Sequence, residues 1–380
     1  MKFAVVMIGI IFILVVLWDA FETVVLPRRV TRRLRLVRLF YRLTWPLWAA
    51  AVRTVSSRKK QENYLSYYGP ISLPLLLGIW AAALIAGFAL LYWAPGNAIQ
   101  SQDGHTGFTA CLYFSGTTFF TLGLGDITPD TALARLLVVL EAGMGFAFLA
   151  LVIGYFPALN QSFSRREVSI SLLDARAGSP PTAAEILRRH VQDNSIDSLA
   201  QLLHEWERWS AELLESHLSY PVLVYFRSQH DNQSWLAALT AVLDTCSVVI
   251  SSLDGKCVRQ AQLTFAMARH AIVDLALVLH TAPREPEIDR LPADDLATLR
   301  SILKEEGLPL QEGAEANRRL YELRQTYEPY VYSLSSRLRL SMPPWISRSG
   351  RADNWQMSAW GGKADIERKD GSRRSDTGHF

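Results

Sequence analysis

The chain has little of what most enzymes and secreted domains rely on. Only three of its 380 residues are cysteine, Cys111, Cys246 and Cys257. That excludes a disulfide framework and leaves three small packed residues. The histidines beyond residue 180 (His190, His204, His217, His230, His270, His280) show no paired ligand spacing, so no metal site is expected. No glycine-rich loop follows a strand-like run, which removes a phosphate cradle. No nucleophile stands beside a base in a recognisable pattern. The expectation is a protein that is not an enzyme, needs no cofactor and binds no nucleic acid. Charge is also missing over long stretches. Residues 71–94 carry none over 24 positions, residues 3–18 carry none, and residues 136–158 carry only Glu141.

Those stretches define a membrane protein. Residues 71–94 and 136–158 are each long enough for a hydrocarbon core of about 30 Å at about 1.5 Å per residue, and 3–18 is the first stretch in the chain. The first follows Met1-Lys2 and has the look of a signal peptide. No small-x-small site follows it, and Asp19, Glu22 and a basic block come next, so a retained helix over 1–27 is expected. Residues 28–70 are a basic cytoplasmic or interfacial segment. Over 27–70 there are 11 Lys and Arg against Glu62 alone, while the loop 95–105 has no Lys or Arg. The positive-inside bias puts the amino terminus outside, and Arg165 and Arg166 put the rest of the chain in the cytoplasm of a multi-pass cell-membrane protein. Arg29, Arg32, Arg35 and Arg38 recur every third position, as in a voltage-sensing helix. Such a sensor needs companion helices with counter-charges, and only one span precedes this block. The expectation is an interfacial helix that binds anionic headgroups through Arg28–Arg42, with Trp45 and Trp48 at the boundary.

Between the two long spans lies Thr121-Leu122-Gly123-Leu124-Gly125-Asp126. Glycine enters left-handed conformations without steric cost, so alternating Gly123 and Gly125 lets successive carbonyls point one way. Four such segments around an axis can replace the water shell of a cation. Residues 106–120 are too short and too polar at their ends to cross a bilayer. They suit a half-helix whose negative end favours a cation in a cavity. The run resembles the TxGxGD selectivity filter of potassium channels, and the match extends from Tyr113-Phe114-Ser115 to Pro129.

That resemblance implies an all-α pore domain over 71–160 with outer helix, pore helix, filter and inner helix. It implies a passive potassium-selective channel with one pore loop per chain, hence a homotetramer. The carbonyls of Thr121, Leu122, Gly123 and Leu124 and the Thr121 hydroxyl become ligands of the permeant ion. Leu124 replaces the usual aromatic, as in one pore loop of the two-pore-domain potassium channels, and Phe120 stands where a second Thr is common. Thr117 occupies a position where some relatives carry a carboxyl that pairs with the residue equivalent to Asp126, so that brace is missing. Glu141 is either a helix residue packed among neighbours or a filter support bonded to the hydroxyls of Thr117 or Thr118. Gly143, Gly145 and Gly154 can bend the inner helix, and Gly145 aligns with the family's gating hinge. Close helix packing is the other reading of that glycine. A non-selective cation channel and a non-conducting receptor or scaffold are the rival functions.

Beyond the pore, residues 161–181 read as a flexible linker ending in Gly178-Ser179-Pro180-Pro181. Thr182 and Glu185 read as a capping box. Helical stripes over 182–345 predict an α-helical cytoplasmic domain that gates the pore, leaving a chain cut near Gly178 still able to form one. The apolar runs 235–253 and 262–281 could form a second membrane hairpin, but Asp244, Arg269, His270 and Asp274 favour a soluble bundle. Residues 346–380, rich in Gly, Ser and charge, read as a disordered tail.

Overall fold

The structure, a computed structural model, describes residues 2–25, 36–101, 104, 106–191, 196–229, 232–308 and 310–347. Among these residues helices dominate: α1 (Lys2–Ala20), α2 (Leu36–Arg53), α3 (Arg58–Trp93), α4 (Phe108–Phe119), α5 (Ala132–Ala177), α6 (Ala183–Val191), α7 (Ile196–Ser219), α8 (Trp235–Ser252), α9 (Lys256–Val278), α10 (Ala293–Glu305), α11 (Ala314–Gln325) and α12 (Glu328–Leu338). Strands β1 (Ile99–Ser101) and β2 (Ile127–Pro129) pair antiparallel, with Gln100 opposite Thr128. The chain forms two compact units. One holds residues up to Phe163 together with Ser216–Arg227; the other holds Ser164–Glu215 and the residues from Ser228 onward.

In the first unit α1, α3 and α5 are long and apolar enough to cross a membrane. Small residues let α1 and α3 touch. A Cβ added at Gly9 would lie 2.8 Å from the Gly87 carbonyl oxygen, so only glycine permits that approach. The carboxylate of Asp19, buried at the end of α1, accepts from the backbone N–H groups of Leu36 (3.1 Å) and Val37 (3.2 Å) and from the Trp80 indole (3.2 Å). It thereby satisfies amides that the first turn of α2 would leave open, where negative charge is favoured. Residues 58–70, the last part of the basic segment, form the first turns of α3. Trp45 is buried and packs against Tyr68, with ring centres 4.9 Å apart. Of the expected lipid-binding arginines, Arg38 and Arg42 are described, and those up to Arg35 lie outside the described residues.

The linker expected over 161–181 is replaced by helix: α5 continues without a break to Ala177. The reason is in the residues. Arg166, Ile170, Leu173 and Ala177 are all buried, which is the i, i+4, i+7 pattern of a helix with its own packed face. The chain turns only at Gly178, whose φ of +78 suits glycine. Thr182 then accepts from the Glu185 N–H at 3.2 Å. The Glu185 carboxylate goes to Arg188 (2.8 Å) and Arg189 (3.0 Å), so only one half of the capping box forms.

The second unit is built around α8, every residue of which is buried. Protein covers a helix that by composition could span a membrane, which accounts for its apolar run without a bilayer. Ser234 caps it, accepting from the Ala237 N–H at 3.0 Å. Asp244, at its middle, pairs with Arg290 through two bonds (3.2 and 2.6 Å) and accepts from the Tyr327 hydroxyl at 2.6 Å. Arg290 also reaches Glu328 at 2.9 Å. Burial works against the Arg290 charge, but the two carboxylates outweigh it and hold the guanidinium charged. Arg290 and Arg324 both lie over the Trp345 ring, at 5.7 and 5.6 Å. The Trp345 carbonyl accepts from the Ala184 N–H at 3.1 Å, tying residues 341–347 to the start of α6. Residues 346 and 347 of the expected tail are therefore placed with this bundle; those from 348 onward lie outside the described residues.

Candidate functional site

The half-helix expected over 106–120 is α4. Its end is shaped by a pair of backbone bonds: the Thr121 N–H donates to the Thr118 carbonyl at 3.0 Å and the Leu122 N–H to the Thr117 carbonyl at 2.8 Å. This is a Schellman cap, which needs a left-handed residue where glycine usually stands. Here that residue is Thr121, with φ of +56. A β-branched side chain there costs on the order of 1–2 kcal/mol. Gly123 and Gly125 follow with φ of +57 and +81, both in the region the alternation requires. The side chains of Phe120, Leu122 and Leu124 are 59, 62 and 64% exposed in the single chain. The β1–β2 ladder receives the chain immediately after Asp126, and the Asp130 N–H donates to the Ala98 carbonyl at 2.9 Å.

Position 117 offers Asp126 no carboxyl to pair with. The Thr117 hydroxyl instead donates to its own helix, to the Phe114 carbonyl at 2.9 Å.

Glu141 is fully buried, but its partners are not Thr117 or Thr118. Its carboxyl accepts from the Tyr92 hydroxyl at 2.8 Å and from the Ser115 hydroxyl, which also lies 2.9 Å from the Ile85 carbonyl. Ser115 faces α5 and α3, and Thr118 is buried without reaching the acid. The knot ties α3, α4 and α5 together, so Glu141 supports α4 and acts on the turn at 121–126 only through it. Polar groups excluded from water must satisfy one another in this way.

Gly145 sits where α5 meets the end of α4. An added Cβ would lie 1.9 Å from the Phe119 carbonyl oxygen, whereas one at Gly143 or Gly154 would meet nothing within 4 Å. The glycine is needed for backbone contact, which favours the packing reading over the hinge. Among the described residues no group of three or more His, Cys, Asp or Glu is placed to hold a metal ion.

A half-helix and glycine-bearing turn set between an outer and an inner membrane helix define a pore-loop membrane protein. The comparisons agree: residues 78–161 match the family described as ion channel, of the two-transmembrane potassium-channel type. The chain is 26% identical over 282 residues to an uncharacterized membrane protein, YdjJ, of Bacillus subtilis, covering 73% of this chain and 76% of that one. It is 35% identical over 89 residues to an inward rectifier potassium channel of Paramagnetospirillum magnetotacticum, covering 23% of this chain and 30% of that one. No solved structure gives a significant match. The chain is thus an all-α membrane protein that carries an ion-channel pore segment.

Proposed function

We propose that the chain is one quarter of a passive potassium-selective channel. The observation that carries this reading is the Thr121–Asp126 turn, held between α4 and α5 with left-handed glycines at 123 and 125. Carbonyls of Thr121, Leu122, Gly123 and Leu124 would line the ion path, with the Thr121 hydroxyl at its inner end. One turn provides too few oxygens to replace a hydration shell, so four chains must meet around an axis. The exposed apolar faces at Leu122, Leu124, Phe146 and Ile153 are the surfaces that such an assembly and the lipid would cover. The amino terminus faces outward, the second unit is cytoplasmic and gates the pore, and Arg38 and Arg42 meet anionic headgroups. No enzymatic step, cofactor or nucleic acid enters this reading.

A non-selective cation channel is the second reading, favoured by Leu124, which stands where an aromatic would brace the glycines. Purified protein in liposomes separates the two through a potassium-against-sodium reversal potential. Gly123→Ala should abolish potassium flux while leaving tetramers intact, because alanine resists the required φ. Normal potassium flux in that variant would end the filter assignment. Equal potassium and sodium flux would favour the second reading, and no flux from intact tetramers would favour a receptor or scaffold.

A further inference from the structure

The chain leaves the helical bundle after Glu215, folds with the membrane helices through Ser216–Arg227, and rejoins the bundle at Ser228. Nothing in the sequence marks this excursion, yet its contacts are dense. Tyr225 stacks on Tyr41 of α2 with ring centres 5.2 Å apart and planes at 15°. It also meets Trp45 at 5.1 Å and Tyr68 of α3 at 5.2 Å. Phe226 lies over Gly69 of α3, where an added Cβ would come within 2.7 Å of its ring, so the seat exists only because residue 69 is glycine. Tyr220 meets Tyr155 of the inner helix edge-on at 5.3 Å, and Phe226 meets Phe163 at 5.5 Å. At the rim Arg227 pairs with Glu62 of α3 at 2.7 Å.

We propose that Ser216–Arg227 is the coupling point through which the helical domain moves the inner helix. The excursion holds α2, α3 and α5 at once, and it is joined to α7 without a spacer: the Tyr220 N–H still bonds the Ser216 carbonyl at 2.8 Å. A shift at the end of α7 therefore moves Tyr220 against Tyr155, while the aromatic cage of Tyr41, Trp45 and Tyr68 supplies the fixed point. Packed aromatic groups have few alternative arrangements, so displacement passes to α5 and is not absorbed locally. The proposal rests on the channel reading for its consequence and on these contacts for its mechanism.

The test uses the rim pair, which lies outside the apolar cage. Arg227→Glu sets two carboxylates against each other, and the exchange Glu62→Arg with Arg227→Glu restores attraction. Two readouts are taken on full-length protein in liposomes. One is the distance between spin labels at Tyr67→Cys on α3 and Gln161→Cys on α5, with labelled chains diluted into unlabelled ones. The other is potassium flux with its reversal potential. Arg227→Glu is expected to shift or broaden the label distance and change flux several-fold at an unchanged reversal potential, and the exchange to restore both. An unchanged label distance in Arg227→Glu, or a shifted one that the exchange fails to restore, overturns the coupling. Wild-type protein that passes no ions would refute the channel reading, while the label distances still decide whether the excursion moves α5.

Discussion

Replacing Gly145 with alanine separates the two roles open to that glycine. The new methyl would start 1.9 Å from the Phe119 carbonyl oxygen and 2.8 Å from its carbonyl carbon. Both atoms are backbone, so no side chain can swing aside. Restoring ordinary contact requires α4 and α5 to part by at least about 1 Å, and overpacking of this kind costs about 1–3 kcal/mol. Alanine returns about 1 kcal/mol as the better helix former, for a net cost of up to about 2 kcal/mol per chain. Displacement of Phe119 also moves Thr121, only two residues on, whose backbone is pinned to α4. We therefore expect Gly145→Ala to lower the thermal stability of the assembly and to degrade the potassium-over-sodium reversal potential. Gly143→Ala, which meets open space, should preserve both. The assay is liposome electrophysiology beside thermal unfolding of the same preparations. A Gly145→Ala protein with wild-type stability and selectivity but reduced open probability would refute the packing argument and reinstate a hinge.

Other substitutions test the remaining contacts. Glu141→Ala leaves the Tyr92 and Ser115 hydroxyls buried without their shared acceptor and should destabilise the pore by about 1–3 kcal/mol, whereas Glu141→Gln, able to accept from one of them, should cost less; equal losses in a denaturation series would count against the knot. Asp244→Ala leaves the buried Arg290 charge with Glu328 as its remaining carboxylate and removes the acceptor of Tyr327, and should cost about 1–3 kcal/mol in unfolding of the helical unit; no measurable loss would remove the pair from the account of its stability. Burial acts to raise the Glu185 pKa, but hydrogen bonds and charge from Arg188 and Arg189 prevail and hold the carboxyl below its usual range. Such a group stabilises the fold above its unfolded pKa and loses that contribution as pH falls through the folded value. Melting temperature should therefore fall less steeply on acidification in Glu185→Gln than in wild type, and parallel slopes would contradict this.

The turn at 121–126 was legible because its signal is local: two glycines at alternate positions between apolar runs. The spans, the half-helix and the helical character of 182–345 were legible for the same reason, since each rests on periodicity within one segment. What failed was tertiary or depended on a face. Ser164, Arg165, Arg166 and Glu167 look like linker composition, yet the buried stripe through Arg166, Ile170 and Leu173 keeps α5 helical. The partners of Glu141 required knowing which side of α4 faces α5. Gly145 carries no mark in the sequence of the Phe119 carbonyl it must clear.

The excursion also has a consequence for how the protein is made. Arg227 and Glu62, whose contact closes the first unit, stand 165 residues apart. The last piece of that unit is synthesised only after α5, α6 and nearly all of α7 have left the ribosome. Until then the cage of Tyr41, Trp45 and Tyr68 and the face of Tyr155 stay uncovered, as surface open to a chaperone or to a neighbouring nascent chain. A chain ending near Gly178 would remain in that state permanently, contrary to the simple expectation that it keeps a self-sufficient pore. Completion of the first unit thus waits on a segment encoded within the second, so the two are not independent modules of the chain.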